Sequence, residues 1–311
     1  RMGRYIYRRF LQLIPILLGV ATVTFLIMYV IPGDPVLSLV GERYDEDTLE
    51  RLREEMGLNK PLPLRYLHYL LDTVRLDLGR SFITGKPVID SIREYFPRTL
   101  LLAASAMLLA VVGGLAIGII SALDRFRWLG RVLMMTSLVG VSIPVFWLGL
   151  LLIYLFSIKL SLLPPSGYGG GSLSYLILPA VTLSFASLAT VARVSRSAFL
   201  EISSEEFART ARAKGLNEFV VYGKHLFRNA LIPVITIVGT DFGSYLSGSV
   251  LTESIFGWPG LGRFIVRAIL KRDFPVIQGS VLFMAVLFIL VNLAVDISYG
   301  IVDPRIRLRK G

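Results

Sequence analysis

The strongest constraint on the fold is a set of six apolar runs along the 311-residue chain. An α-helix rises about 1.5 Å per residue, so about 20 residues cross the roughly 30 Å of hydrocarbon in a bilayer. A helix also pairs its own backbone polar groups, which a membrane interior requires. The sequence therefore predicts an all-α membrane protein with six transmembrane helices. The runs cover residues 10–31, 99–123, 132–158, 173–192, 229–252 and 276–295.

The distribution of charge predicts the orientation of these helices. The chain has 33 Lys and Arg, 22 Asp and Glu, and a net charge of +11. The excess of basic residues falls in residues 1–9, 124–131, 193–228 and 301–311. Short loops rich in Lys and Arg remain in the cytoplasm, so we expect both termini on that side. This asymmetry accounts for the basic composition without a nucleic-acid partner. Residues 32–98 form too long a loop for the rule, so the short loops carry the assignment.

The amino-terminal run is an anchor by the same criteria. Its 22 uncharged residues exceed a typical signal-peptide core, and the sequence Ile31-Pro32-Gly33-Asp34-Pro35 is not a small-residue cleavage site. We expect residues 10–31 to stay in the membrane as the first span.

The inventory of reactive side chains argues against an enzyme. There is no cysteine, and the two histidines, His68 and His225, lie far apart in the sequence. Disulfides, thiolate nucleophiles and cysteine metal sites are thereby excluded. An intramembrane enzyme would need a nucleophile with its base, or a metal cluster, and the six runs contain neither His nor Cys. We predict no catalytic residue and no bound metal.

One segment superficially resembles a phosphate-binding loop. A P-loop has four residues between its glycines and Ser or Thr after its lysine. Gly79 and Gly85 are separated by five residues, and Pro87 follows Lys86. The chain thus has no visible nucleotide site, and any ATP must be hydrolysed by a partner.

Residues 32–98 form the largest piece between two spans, which we predict to be a small helical extracytoplasmic insertion. Residues 45–56 have a charged helical pattern, and residues 64–76 have apolar residues at helical spacing. Proline and glycine punctuate the remainder. Such a cap could receive an extracytoplasmic binding protein or act as a structural lid, and the sequence leaves both open.

Small residues and a single acid distinguish the fifth span. Close approach through small side chains drives helix packing in lipid, so we expect the small-residue faces of the second, fourth and fifth spans to meet other helices. Asp241 must face protein or water, because a charge at a helix centre costs about 2.5 to 3.5 kcal/mol on insertion scales. We consider three roles for it: lining a translocation pathway with Ser244 and Ser247, interhelical hydrogen bonding, or a proton relay. Asp296 lies near the cytoplasmic end of the sixth span, where an anchoring role is favoured.

The charged segment between the fourth and fifth spans is predicted to form two short helices. Ser203 and Glu206 form an S-x-x-E capping box, and Gly215 can take the left-handed conformation that ends a helix. A second helix starts near Asn217 and runs toward Pro233. We therefore predict a helical hairpin projecting into the cytoplasm over residues 197–228.

This segment resembles the coupling loop of ABC importer permeases, in the form found in the dipeptide, oligopeptide and nickel group. The run FARTARAKGL at 207–216 and RNALIP at 228–233 carry the resemblance. Arg209-Thr210-Ala211 stand where the wider family has E-A-A, a departure that favours the peptide group. Further matches are PGDP at 32–35, DLGRS at 77–81 and ESIFGWPGLG at 253–262. The resemblance covers essentially the whole chain.

The resemblance implies a non-catalytic transmembrane subunit without a cofactor of its own, in a prokaryotic cytoplasmic (inner) membrane. Its implied partners are a second homologous permease, two ABC ATPases that bind ATP and Mg, and an extracytoplasmic solute-binding protein. Short peptides are the favoured cargo, with nickel and oligosaccharides as alternatives. An ion-coupled secondary transporter using Asp241 is the rival of another class.

The resemblance also assigns roles to particular residues. The extracytoplasmic loop at 253–275 is expected to bend at the outer membrane surface, and whether it gates the route stays open. The candidate residues for this outer gate or loop are Glu253, Phe256, Trp258, Pro259 and Gly260. The implied ATPase-coupling residues are Ser203, Glu206, Phe207, Ala208, Arg209, Thr210, Ala211, Arg212, Ala213, Lys214, Gly215 and Leu216.

Overall fold

The computed structural model describes residues 2–30, 36, 46–55, 59–123, 127–203 and 227–302, and these residues are mostly helical. Helix α1 spans Met2–Val30, α2 spans Glu46–Glu55 and α3 spans Leu62–Val74. Pro61 precedes α3 in an extended conformation, and Pro63 lies in its first turn, where proline is tolerated because the N–H groups there have no partner within the helix. The two helices predicted for the insertion are therefore confirmed.

Among the described residues, three helices are long and apolar enough to cross a membrane: Val88–Ala122, Leu173–Ser203 and Phe274–Val295. They belong to α4 (Val88–Ala122), to α7 (Leu173–Ser203) and to α11 (Phe274–Val302). Shorter apolar helices cover Leu11–Ile27 and Val145–Lys159. Helix α4 begins 11 residues before the predicted span at 99–123, within the predicted insertion. The count of six spans stays a prediction.

The third predicted span, at 132–158, is not a single helix. Helix α5 (Arg127–Ser142) ends before Pro144, and α6 (Val145–Leu152) begins after it. Proline disfavours helical geometry at the preceding residue and cannot donate a backbone hydrogen bond, so the chain breaks at this point. Helix α6 continues into a π-helical segment, Ile153–Lys159. By contrast, Pro179 and Pro233 lie inside continuous helices.

The carboxyl-terminal half also departs from the predicted boundaries. Helix α8 spans Phe227–Gly248 and is followed by a short helix α9, Val250–Ile255. The predicted loop at 253–275 contains a further amphipathic helix, α10, Leu261–Leu270. The fifth span is thus interrupted at Ser249, and the segment after it is largely helical.

One compact unit comprises residues 1–99 and 259–289. Its apolar core joins the start of α4 to α10 and the first turns of α11, and it includes Val88, Ile92, Leu261, Ile265 and Val276. Tyr95 stacks on Phe264 with ring centroids 4.5 Å apart. Helix α3 packs against α1 in the same unit.

The second unit comprises residues 100–258 and 290–311, and small residues bring its helices together. A methyl group added at Gly114 of α4 would lie 2.7 Å from Val191 Cβ and 2.9 Å from the Leu188 carbonyl oxygen of α7. One added at Gly239 of α8 would lie 2.1 Å from a methyl carbon of Val295. Such close approach requires glycine, as the small-residue faces predicted.

Candidate functional site

The helix that precedes the predicted coupling segment is longer than its membrane span. Helix α7 has 31 residues, about 46 Å at 1.5 Å per residue, and continues 11 residues beyond the predicted span at 173–192. Helices α7 and α8 pack together within the second unit. The segment between Ser203 and Phe227 is therefore flanked by two packed helices, α7 and α8.

Ser203 is the last residue of α7. Its predicted capping partner, Glu206, and the other proposed coupling residues lie outside the described residues. These are Phe207, Ala208, Arg209, Thr210, Ala211, Arg212, Ala213, Lys214, Gly215 and Leu216. The capping box and the coupling helix remain predictions.

Asp241 connects the two packed helices. The buried Ser187 hydroxyl on α7 donates a hydrogen bond to Asp241 Oδ2 on α8 at 2.6 Å. The carboxylate itself is only half-buried. The interhelical hydrogen bond foreseen among the alternatives is therefore present, and Ser187 is a partner that sequence reasoning did not single out.

The residues beside Asp241 include an exposed polar pair. Thr240 and Ser244 are both exposed and lie four residues apart, on the same side of α8. Each hydroxyl donates to the carbonyl four residues earlier, Thr236 and Thr240 respectively. The side chain of Ser247 lies outside the described part. Helix α8 thus presents hydroxyl groups next to a carboxylate in a predicted span.

Glu253 is fully buried in the second unit. The Ser249 hydroxyl donates to Glu253 Oε1 at 2.9 Å, and the Trp258 backbone N–H donates to the Glu253 carbonyl oxygen at 2.8 Å. Buried carboxylates persist where hydrogen bonds satisfy them. The predicted gate residue therefore organises a tight turn after α9.

Phe256 and Trp258 are also buried, rather than displayed at a membrane surface as the sequence suggested. Gly257 has φ of 60°, which favours glycine and turns the chain between the two rings. The Phe256 carbonyl accepts a hydrogen bond from the Gly167 N–H at 2.7 Å, and Trp258 packs edge-on against Tyr168 at 5.0 Å. The predicted bend is present, with its aromatic rings turned inward.

Pro259 and Gly260 begin the carboxyl-terminal part of the first unit. Gly260 precedes α10 in an extended conformation. The next residue, Leu261, donates its backbone N–H to the buried Thr99 hydroxyl at 2.8 Å. Gly260 is therefore the N-cap residue of α10.

Sequence reasoning missed one buried acid, Asp273, in the first unit. Ser81 donates its hydroxyl to Asp273 Oδ2 at 2.5 Å, and the Phe82 N–H donates to Oδ1 at 3.0 Å. These bonds fix the loop that superficially resembles a phosphate-binding loop. The acid lies 192 residues from Ser81, so no local pattern pointed to it.

No group of three or more His, Cys, Asp or Glu within the described ranges has the arrangement of a metal site. Two acids of the second unit, Asp241 and Glu253, each accept a hydrogen bond from a serine hydroxyl. They can bind by hydrogen bonding and can orient neighbouring groups.

Two family models match the chain. Residues 114–308 match the binding-protein-dependent transport system inner membrane component, and residues 2–103 match the amino-terminal part of such membrane components. The glutathione transport system permease protein GsiC of Escherichia coli O6:H1 is 43% identical over 308 residues, which is 99% of this chain and 100% of the relative. The GsiC protein of Escherichia coli K12 is 42% identical over the same shares.

Solved structures resemble the fold at lower identity. An inward-facing MetNI methionine ABC transporter gives a TM-score of 0.59 at 18% identity, covering 69% of this chain and 97% of that one. An amino acid ABC transporter with histidines gives 0.52 at 19% identity, covering 68% and 94%. At such identities the likeness concerns the fold.

Proposed function

The chain belongs to the family of binding-protein-dependent transport system inner membrane components, and on that premise we propose that it forms half of an import pathway for short peptides. It is a multi-pass, non-catalytic permease subunit of an ABC importer. Relatives of full length at 42–43% identity are named for glutathione, a tripeptide, and this likeness carries the substrate proposal.

The proposed complex contains a second permease of the same family, two ATPases that bind ATP and Mg, and an extracytoplasmic solute-binding protein. Both termini lie in the cytoplasm, as do residues 197–228. The basic excess in the short loops supports this orientation. Residues 32–98 and 253–275 then face outward, where the binding protein delivers its cargo.

The segment between α7 and α8 couples ATP hydrolysis in the ATPase subunits to the conformational change of the pathway. Helix α7 runs without a break from the membrane to Ser203, so a push on its end moves Ser187 and the helix packed against it. The segment itself supplies a short helix whose alanines keep the docking face narrow. Ala208, Ala211 and Ala213 are the proposed contact positions.

Replacement of Gly215 tests this coupling. Gly215→Val should uncouple ATP hydrolysis from uptake, because a β-branched residue does not tolerate the left-handed conformation proposed for Gly215. Gly215→Asn is the matched control, since asparagine adopts that conformation more readily. Both variants are reconstituted with the ATPases, and ATPase rate and uptake are measured together. Normal uptake in the valine variant would count against the proposed coupling role of the segment between α7 and α8.

We assign the exposed polar side of α8 to the pathway. Thr240 and Ser244 present hydroxyls that gain nothing from lipid, and Asp241 beside them is half-buried. Thr240→Cys and Ser244→Cys should react with a charged thiol reagent and lose uptake, and substrate with binding protein should slow the reaction. Val112→Cys is the control, because Val112 is an exposed apolar residue of α4 and should not react. Equal reactivity at all three positions would refute the assignment.

Cargo is tested by uptake into vesicles that carry the complete complex. Labelled glutathione and a dipeptide should enter in an ATP-dependent manner, and nickel or an oligosaccharide should not compete. Uptake of nickel instead would replace the peptide proposal. Uptake by this chain alone, driven by an ion gradient, would favour the secondary-transporter alternative.

A further inference from the structure

Helix α3 has three sides of different character. Tyr66, Tyr69 and Thr73 are half-buried against the rest of the first unit. The exposed remainder divides into an apolar side and a polar side along the helix axis. Such a division is typical of helices that meet a protein, a lipid and water at once.

The tyrosine side of α3 packs on α1. The Tyr66 hydroxyl lies 2.6 Å from the Thr22 hydroxyl, within hydrogen-bond distance. The Phe25 ring lies 5.2 Å from that of Tyr66 and 5.5 Å from that of Tyr69, measured between centroids. Helix α3 is therefore attached beside a predicted transmembrane helix.

These contacts fix the depth of α3. Phe25 lies six residues before Ile31, the end of the predicted first span, which is about 9 Å at 1.5 Å per residue. The first predicted span therefore places the Phe25 ring, and the Tyr69 ring that packs on it, below the level at which the hydrocarbon begins.

The apolar side of α3 is exposed at this depth. The exposed fractions are 44% for Leu64, 53% for Leu67, 48% for Leu71 and 82% for Val74. These residues recur at spacings of three and four, so they form one stripe. A stripe of four large apolar side chains facing water would be unusual for a soluble cap. The exposed part of α1 nearby is also apolar, at Val23 and Leu26.

The polar side supplies the complementary observation. His68, Asp72 and Arg75 are exposed and lie next to the apolar stripe rather than opposite the protein. The charged side chains can therefore reach water while the leucines face hydrocarbon.

We propose that α3 is an interfacial helix that lies in the outer leaflet beside α1, with Leu64, Leu67, Leu71 and Val74 in contact with lipid acyl chains. The insertion between the first two spans is thus partly a membrane-embedded element, and not wholly a soluble cap. Amphipathic helices bury their apolar side about 5–10 Å into this boundary, and the depth of about 9 Å given by Phe25 falls in that range. The proposal concerns membrane placement and does not depend on the identity of the cargo.

The chain has no cysteine, so each introduced cysteine is the single labelling site in this subunit. A nitroxide is attached at Leu67→Cys or Leu71→Cys, with His68→Cys and Asp72→Cys as matched controls one residue away. The full transporter is purified from membranes and placed in lipid nanodiscs. Collision of the label with oxygen, which concentrates in hydrocarbon, is compared with collision with a water-soluble nickel chelate.

The ratio of oxygen to nickel collisions should be several-fold higher at Leu67 and Leu71 than at His68 and Asp72. High nickel access at all four positions would show a water-exposed cap and overturn the proposal. Exclusion of both reagents at the leucines would show a protein partner on this side and would also overturn it. Because all four side chains are exposed, the variants should fold, and labels at Leu64→Cys and Val74→Cys repeat the test on the same stripe.

Discussion

Asp273 provides a quantitative test of the structure, because one side chain holds a distant loop. Its two carboxylate oxygens accept hydrogen bonds from the Ser81 hydroxyl and from the Phe82 N–H. The acid is buried, and the loop it holds includes exposed Arg80. Substitution by alanine leaves the Ser81 hydroxyl and the Phe82 N–H without these acceptors.

The size of the effect follows from the charge of the acceptor. Hydrogen bonds to charged groups contribute about 1.5–3 kcal/mol each, so loss of both should reduce the free energy of loop opening by at least about 3 kcal/mol. Since about 1.4 kcal/mol corresponds to a factor of ten, the open population should rise about hundredfold. Asp273→Asn keeps one acceptor oxygen and replaces the other with an NH2 donor, so one of the two bonds can remain and we expect a smaller rise of about tenfold.

Limited trypsin digestion of the detergent-purified transporter measures this opening. The bond after Arg80 is the reporter, because Lys86 precedes a proline and is a poor trypsin site. When opening is fast relative to cleavage, the cleavage rate follows the open population. Mass spectrometry of the peptide that ends at Arg80 gives the rate in each variant. Asp90→Ala is the control, because Asp90 is exposed and contacts only exposed Arg93 among described partners, at 3.5 Å.

The reasoning would be refuted if Asp273→Ala were cleaved after Arg80 at the native rate while the transporter remained assembled. An equal increase in the cleavage rate of the Asp90→Ala control would show a general loosening of the structure. It would also refute the proposed role of Asp273 in holding the loop closed. A graded series, with alanine above asparagine and asparagine above the native chain, is the expected outcome.

Two further substitutions test the packing of the second unit. Gly114→Ala should reduce the free energy of unfolding by about 1–3 kcal/mol, because the added methyl group meets a Val191 side-chain carbon at 2.7 Å. Gly19→Ala is the control and should not reduce it, since its methyl group meets nothing within 4 Å. Thermal unfolding in detergent compares the two variants, and equal midpoints would contradict the close approach at Gly114. Trp258→Ala should cost about 3–5 kcal/mol because the ring is fully buried beside Tyr168, and an unchanged unfolding midpoint would show that the ring is not part of the core.

The sequence by itself determined the class of fold, because long uncharged runs can be satisfied in a bilayer only by helices. It also determined α2 and α3, whose local periodicity specifies helix without distant contacts. The resemblance to peptide-group ABC permeases followed from sequence motifs, and the family comparisons confirm it. The coupling residues and the pathway role of Asp241 stay predictions.

Only the tertiary structure decided which partners these residues have. The hydrogen bond from Ser187 to Asp241 joins residues 54 positions apart, and the hydrogen bond from Ser81 to Asp273 joins residues 192 positions apart. No local sequence pattern encodes such pairs. The inward turn of Trp258 likewise depends on Tyr168, which lies on another part of the chain. Hydropathy reports how well a segment tolerates lipid, whereas burial depends on which other segments arrive beside it, and that arrangement exists only in the folded chain.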